Sequence, residues 1–157
     1  MTVRSAGILL YRLSSTAELE VWIAHMGGPF WAHKDARAWS IPKGEYLEDE
    51  DPLVAAKREF AEEMGTPPPD VDYHQLGVFR QPSGKLVAAF TAESDFDPER
   101  IVSNTFELEW PKGSGVIRSY PEIDDAIWAT EAVARTKLVG GQVPILDALI
   151  RHLGSEA

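Results

Sequence analysis

The chain has 157 residues, a formal net charge of −10 and no cysteine. That length suits one domain with a real core, since a chain of this size hides roughly 70% of its unfolded surface on folding. The composition excludes disulfides, a thiolate nucleophile and Cys-ligated metal, disfavours binding to a nucleic-acid backbone, and contains no apolar run near the ~18–20 residues of a membrane span.

Apolar residues make up 44% and charged residues 25%, the mix of a soluble globular protein. Met1 to Ala6 lacks the long apolar stretch of a signal peptide. With the absence of cysteine, this points to a reducing compartment, and the cytoplasm is the expectation.

The first element is a strand over Ala6–Tyr11, followed by a turn at Ser14-Ser15-Thr16. Glu20–His25, rich in β-branched and aromatic residues, pairs back as a hairpin. Gly27–Ala38 reads as a loop broken by Gly27-Gly28-Pro29, and Trp39-Ser40-Ile41 as a short strand closed by Pro42. Asp51-Pro52 then opens a helix, with a capping carboxylate ahead of a proline at the first helical position. Leu53, Ala56, Phe60 and Met64 form its apolar stripe, and Gly65 ends it before Pro67-Pro68-Pro69.

Leu76–Arg80 and Leu86–Thr91 are strands around the turn Pro82-Ser83-Gly84-Lys85. Glu93–Ser103 is an acidic loop, Thr105–Trp110 a strand, and Pro111–Ser114 a turn. Ile127-Trp128-Ala129 is a last short strand running into a helix over Glu131–Leu138. Gly140-Gly141 breaks that helix, and Val143–Leu153 forms another. Strands and helices mix without βαβ alternation, so the expected fold is α/β (α+β), a mixed sheet flanked by helices.

The helix carries Arg58-Glu59-Phe60-Ala61-Glu62-Glu63. Glu59, Glu62 and Glu63 share an arc of about 100°, placed opposite the apolar stripe. Glu59 and Glu63 repel one another at i, i+4, with no basic residue one turn away on that face. Such a face is either solvated surface or a hard-cation site, for which oxygen-only ligands suit Mg²⁺ or Mn²⁺ better than Zn²⁺.

The spacing favours the cation. Gly44, Glu50, Arg58, Glu59, Glu62, Glu63 and Gly65 stand in the order G-x5-E-x7-R-E-φ-x-E-E-x-G, with Phe60 at φ. This resembles the signature box of the Nudix hydrolase superfamily (MutT-like), here residues 44–66 of a single domain spanning 1–157. Thr66 departs from the aliphatic residue usual at that position. Trp39-Ser40-Ile41-Pro42-Lys43-Gly44 also resembles the Pro-Lys-Gly opening of dinucleoside polyphosphate hydrolases.

The resemblance implies an α/β/α sandwich with a mixed sheet, and Mg²⁺-dependent cleavage of a diphosphate linkage in a nucleoside diphosphate joined to another group. A dinucleoside or nucleoside polyphosphate is the favoured substrate. It implies Glu59, Glu62 and Glu63 as metal ligands, with a backbone carbonyl of Lys43 or Gly44, and Arg58 holding Glu59. Glu50 orders the loop, and Gly44 and Gly65 complete the box. The general base is a box glutamate or a later carboxylate, with Glu107 and Glu109 as candidates.

Lys43, Arg80 and Lys85 are candidate phosphate contacts. Phe30, Trp31 and Trp39 are candidates to stack on a base, and His25 and His33 are weaker candidates for base or phosphate contact. Pro82 lies in a convincing turn and chooses no substrate. The partner expected is a small nucleotide, with no DNA and no membrane. A homodimer is compatible with the resemblance but has no visible interface.

The alternative is a non-catalytic nucleotide-binding regulator on the same fold, against which the intact carboxylates argue. An isopentenyl-type isomerase would need a cysteine. Gly44–Gly65 holds eight acids and two bases, so more than half of the net charge lies in 22 residues. That window should repel phosphates without metal and attract them with it.

Overall fold

The computed structural model describes residues 2–155. The chain runs β1 (Arg4–Leu13), β2 (Leu19–Met26), β3 (Trp39–Ser40), β4 (Lys43–Glu45), α1 (Pro52–Met64), β5 (His74–Arg80) and β6 (Leu86–Glu93). It continues through β7 (Thr105–Glu109), β8 (Ile117–Pro121), β9 (Ile123–Thr130), α2 (Glu131–Lys137), a 3₁₀ turn at Gly140–Gln142 and α3 (Val143–Ser155).

Seven strands form one mixed sheet whose main path is β3-β2-β1-β6-β5; β4 pairs with β1 and β9 with β2. The hairpin expected near the N-terminus is present, but β1 and β2 pair only through Tyr11–Leu13 and Leu19–Val21. Beyond that they splay apart. β4 bonds to β1 at Ser5–Gly7, and β3 bonds to β2 at Ala24 and His25, so the two short strands fill the wedge. Pro42 closes it by accepting from the Ile8 N–H at 3.1 Å. On its other side β1 runs parallel to β6 over eight residue pairs.

Alternation along β1 feeds two cores. Ala6, Ile8 and Leu10 face Ala55, Ala56, Phe60 and Met64 of α1. Leu9, with Val21, Ile23, Val87 and Ala89, faces Ala134 of α2, Leu138 just beyond it, and Ile145, Leu146 and Leu149 of α3. The architecture is therefore the expected α/β/α sandwich with a mixed sheet. Among the described residues no helix is long and apolar enough to cross a membrane.

α1 begins and ends as its sequence dictates. Asp51 accepts from the Val54 N–H at 3.0 Å, Pro52 occupies the first turn, and Gly65 takes φ 75°. A side chain at Gly65 would also meet the Val102 carbonyl at 2.6 Å. Asp51→Ala is expected to cost about 1 kcal/mol, read as a lower denaturation midpoint, while Asp51→Asn costs a few tenths.

Two expectations change. Two strands were not anticipated, Lys43–Glu45 in the mixed sheet and Ile117–Pro121, which pairs with β7 in a separate two-stranded ribbon, and the last strand is longer than Ile127–Ala129. The carboxylates do not all oppose the apolar stripe: Glu63 is buried at 6% exposure, whereas Leu53 is only partly buried. At 100° per residue Glu63 lies just 20° from Ala56, so it borders the core face rather than opposing it.

Candidate active site

The wedge in the sheet places β4 under α1. Ala6 lies opposite Gly44 in the ladder, on the face that packs α1. A Cβ on Gly44 would stand 2.1 Å from Cδ and Oε2 of Glu59 and 2.6 Å from its Cγ. The Glu59 carboxylate therefore rests on the bare face of this glycine. One residue back, the Lys43 N–H donates to Glu63 Oε1 at 3.1 Å.

Arg58 is held on both sides. It pairs with Glu50, and its Nη2 donates to Glu59 Oε1 at 3.3 Å and to the Glu45 carbonyl at 3.4 Å. One guanidinium thus ties the loop before the helix to a box carboxylate, a charge-assisted arrangement.

The electrostatics are those of crowded acids. Burial raises the Glu59 carboxyl above its ordinary range, and repulsion from Glu62 and Glu122 adds to this against the pull of Arg58. Burial pushes Glu63 up to about 8, over the opposing Lys43 N–H bond and Lys43 charge. Burial also lowers the Lys43 ammonium, helped by Lys85, while Glu63, Glu45 and Glu59 pull the other way. Lys43 is half-buried, and its ammonium has no ion-pair partner among the described residues.

The later carboxylate in this field is Glu122, which the sequence reading missed. Its charge acts on both Glu59 and Glu63. A backbone relay places it there: the Asn104 N–H donates to the Glu62 carbonyl at 3.0 Å, and the Glu122 N–H donates to the Asn104 carbonyl at 2.8 Å. Val102 similarly satisfies the Met64 carbonyl at 3.0 Å, so the loop after β6 caps the open end of α1.

Glu107 and Glu109 stand on β7, paired only with β8 in a separate two-stranded ribbon. Thr105, at the near end, pairs with Pro121. Glu109 is four residues further out, roughly 13 Å along the strand. Its Oε1 accepts from the Gly113 N–H at 2.7 Å, so it shapes the ribbon's turn. Glu107 is exposed on the same side of the strand.

The other candidates separate. Lys85 pairs with Glu45 at 3.4 Å, and through Glu45 it adjoins the box. Arg80 is exposed and lines an open cavity of about 460 Å³ with Ser83, Lys85 and the N-terminal Thr2 and Val3. Trp39 is buried at 5% exposure and donates to Asp35 Oδ1 at 2.9 Å, so it presents no face for stacking. The same carboxylate takes Lys137 at 2.5 Å, and these two bonds hold Asp35 below the usual carboxylate range. Trp31 is half-buried against the α3-side core. His25 is fully engaged, its Nδ1 2.6 Å from Asp124 and its Nε2 2.7 Å from the Lys34 carbonyl. Pro82 lies in the β5–β6 turn and packs beside Gly141.

A family model described as the NUDIX domain matches residues 1–149. The chain belongs to the Nudix hydrolase superfamily. Solved Nudix structures share its fold at low identity. The NUDIX domain of Shewanella oneidensis NrtR, cocrystallised with ADP ribose, is 17% identical with a TM-score of 0.67, covering 98% of this chain and 89% of its own. A C. elegans Ap4A hydrolase in a binary complex is 20% identical with a TM-score of 0.68, covering 98% and 99%. A Nudix hydrolase from M. smegmatis, RenU, is 21% identical with a TM-score of 0.58, covering 96% and 85%. None of the curated proteins compared with the chain matches it.

As the side chains stand, no three His, Asp or Glu groups among the described residues converge on a metal position. The donor set nonetheless suits a hard cation: it is all oxygen, one member rests on a glycine face, and another is buried beside a cation without an ion-pair partner.

Proposed function

We propose that this protein is a Mg²⁺-dependent pyrophosphohydrolase, able to use Mn²⁺, that cleaves a diphosphate linkage in a nucleoside diphosphate joined to another group. The observation that carries this is the Glu59 carboxylate seated on the bare face of Gly44, next to the buried Glu63 on the Lys43 N–H. Glu59, Glu62 and Glu63 are the proposed ligands, with the Gly44 carbonyl beside them. Bound there, the cation would neutralise phosphate oxygens and acidify a water.

The chain's own groups do the rest. Arg58, set by Glu50, fixes the Glu59 carboxylate. Lys43 offers an ammonium without an ion-pair partner to the phosphates, with Lys85 and Arg80 further out. Glu122, rather than Glu107 or Glu109, supplies the late carboxylate that accepts a proton from the attacking water. A dinucleoside or nucleoside polyphosphate is the proposed substrate class. The Pro42-Lys43-Gly44 opening supports it, and the likeness to an Ap4A hydrolase is in keeping with it. The setting proposed is the cytoplasm, and the partner a small nucleotide rather than DNA.

The test is phosphate release from dinucleoside polyphosphates, nucleoside triphosphates, ADP-ribose and nucleotide sugars, with product identification. Turnover of at least one substrate with Mg²⁺, lost on chelation, is the expected result. Chelation is also expected to weaken substrate binding at least tenfold, because the 44–65 window is then a bare anion. Tight nucleotide binding with no hydrolysis under any divalent cation would point instead to a regulator.

A further inference from the structure

His25 is the next-to-last residue of β2 and is buried, at 7% exposure. Both of its ring nitrogens are engaged at once: Nδ1 lies 2.6 Å from Asp124 Oδ1, and Nε2 lies 2.7 Å from the Lys34 carbonyl. Both oxygens are acceptors. A neutral imidazole carries one N–H and one lone pair, so beside an ionised Asp124 it would turn that lone pair on one of the two oxygens. The arrangement therefore holds one proton more than a neutral ring and a carboxylate. The Asp124 side chain is 37% exposed and keeps its charge in water, which leaves the extra proton on the ring.

The charged groups around this ring come from three elements. On β9, Asp124 bonds to it, while Asp125, its register partner, accepts from the Ala126 N–H at 2.8 Å. In loop 27–38, the Lys34 ammonium lies over the Phe30 ring, and Asp35 is taken by Trp39 and by Lys137 of α2. The Trp39 ring of β3 meets the imidazole edge to face, with centroids 5.1 Å apart. The two ends of the loop are tied down without the imidazole. The Met26 N–H donates to the Ala38 carbonyl at 3.1 Å, and the Gly27 N–H donates to the Glu122 carbonyl at 2.8 Å. Among the described residues, the bond from Nε2 to Lys34 is the polar contact that ties the middle of the loop to the sheet.

We infer that Asp124 and His25 form a proton-dependent clamp on loop 27–38. When the second ring proton leaves, the ring keeps the stronger, charge-assisted bond to Asp124 and turns a lone pair toward the Lys34 carbonyl, so that bond breaks. The bond stabilises the loop while the proton is present and is lost as pH rises. The middle of the loop then loosens while its ends stay fixed. Because Gly27 of the same loop bonds to Glu122, the clamp sets how firmly the rim of the candidate site is held. It does so whether or not the neighbouring carboxylates hydrolyse a nucleotide.

The experiment follows the His25 ring nitrogens and the Lys34 carbonyl carbon by NMR from about pH 6 to about pH 9. In the wild type the Lys34 signal is expected to move with the loss of the second ring proton, and the amides of residues 31–34 to lose about fivefold or more of their exchange protection. Asp124→Asn supplies an N–H of its own to Nδ1, so a neutral ring with its proton on Nε2 keeps both bonds. In that variant the Lys34 signal and the protection should stay constant across the range, whereas Asp125→Asn should behave as the wild type does. A Lys34 signal indifferent to the ring proton, an equal response in Asp124→Asn, or a response abolished by Asp125→Asn as well would overturn the clamp.

Discussion

Gly44→Ala is expected to lower kcat by about a hundredfold or more while moving the melting temperature by no more than ~2 °C. The reason is local. The Gly44 backbone lies outside the left-handed region, so alanine is no strain on the chain. What the new methyl meets is the far end of the Glu59 side chain, at 2.1 Å. The carboxylate must swing away by more than an ångström, which it does cheaply in stability. In a site that works by position, that displacement is the whole loss.

Glu59→Gln removes the charge without moving the chain, and kcat should fall at least as far. The two changes act on one group, so the double variant should be no worse than Glu59→Gln alone. The check is kcat at saturating Mg²⁺ on the best nucleotide substrate, with thermal melts of all three variants. Full activity in Gly44→Ala would show that the position of Glu59 does not matter to the reaction.

Much of the scaffold was legible because its signals are local. Asp51-Pro52, the Ala56/Phe60/Met64 stripe and Gly65 bound α1 without help from distant residues. The β5–β6 hairpin follows from its turn at Pro82–Lys85. The box was readable for a related reason: Glu50, Arg58 and Glu59 lie close in sequence, and their bonds stay within the segment.

Glu122 was not legible, because its place depends on a relay through Asn104 to the end of α1, across 60 residues from Glu62. The strand that delivers it, Ile117–Pro121, has the exposure of a ribbon edge and no clean alternation. Trp39 misled for the converse reason. An aromatic residue at the edge of a polar loop looks available, but Asp35, four residues back, takes its indole N–H, and Lys137, about a hundred residues on, bonds to Asp35 and lies over the Trp39 ring. Glu63 misled by angle: its helical position borders the core face, and only the depth of β4 beneath α1 makes it buried.

That burial yields the second large effect. Glu63→Gln should abolish turnover yet stabilise the metal-free protein near neutral pH. In the folded chain the Glu63 carboxyl keeps its proton up to about pH 8, whereas its ordinary value is 4.5. Between those two pH values the native state binds a proton that the unfolded chain has released. By linkage, this group makes stability fall as pH rises from about 4.5, levelling off above about 8.

Glutamine carries no such penalty, and its amide oxygen still accepts from the Lys43 N–H. At pH 7 the gain should be roughly 3 kcal/mol, or about 6–12 °C in melting temperature for a domain of this size. Below pH 4.5 the variant and the wild type should converge. Mg²⁺ reverses the order, because a cation at the site displaces the proton and stabilises the wild type alone. Titrations in buffers of different ionisation heat should accordingly show close to one proton released per cation bound by the wild type at pH 7. Melts that ignore pH and metal in both proteins would mean that Glu63 is neither protonated nor a ligand.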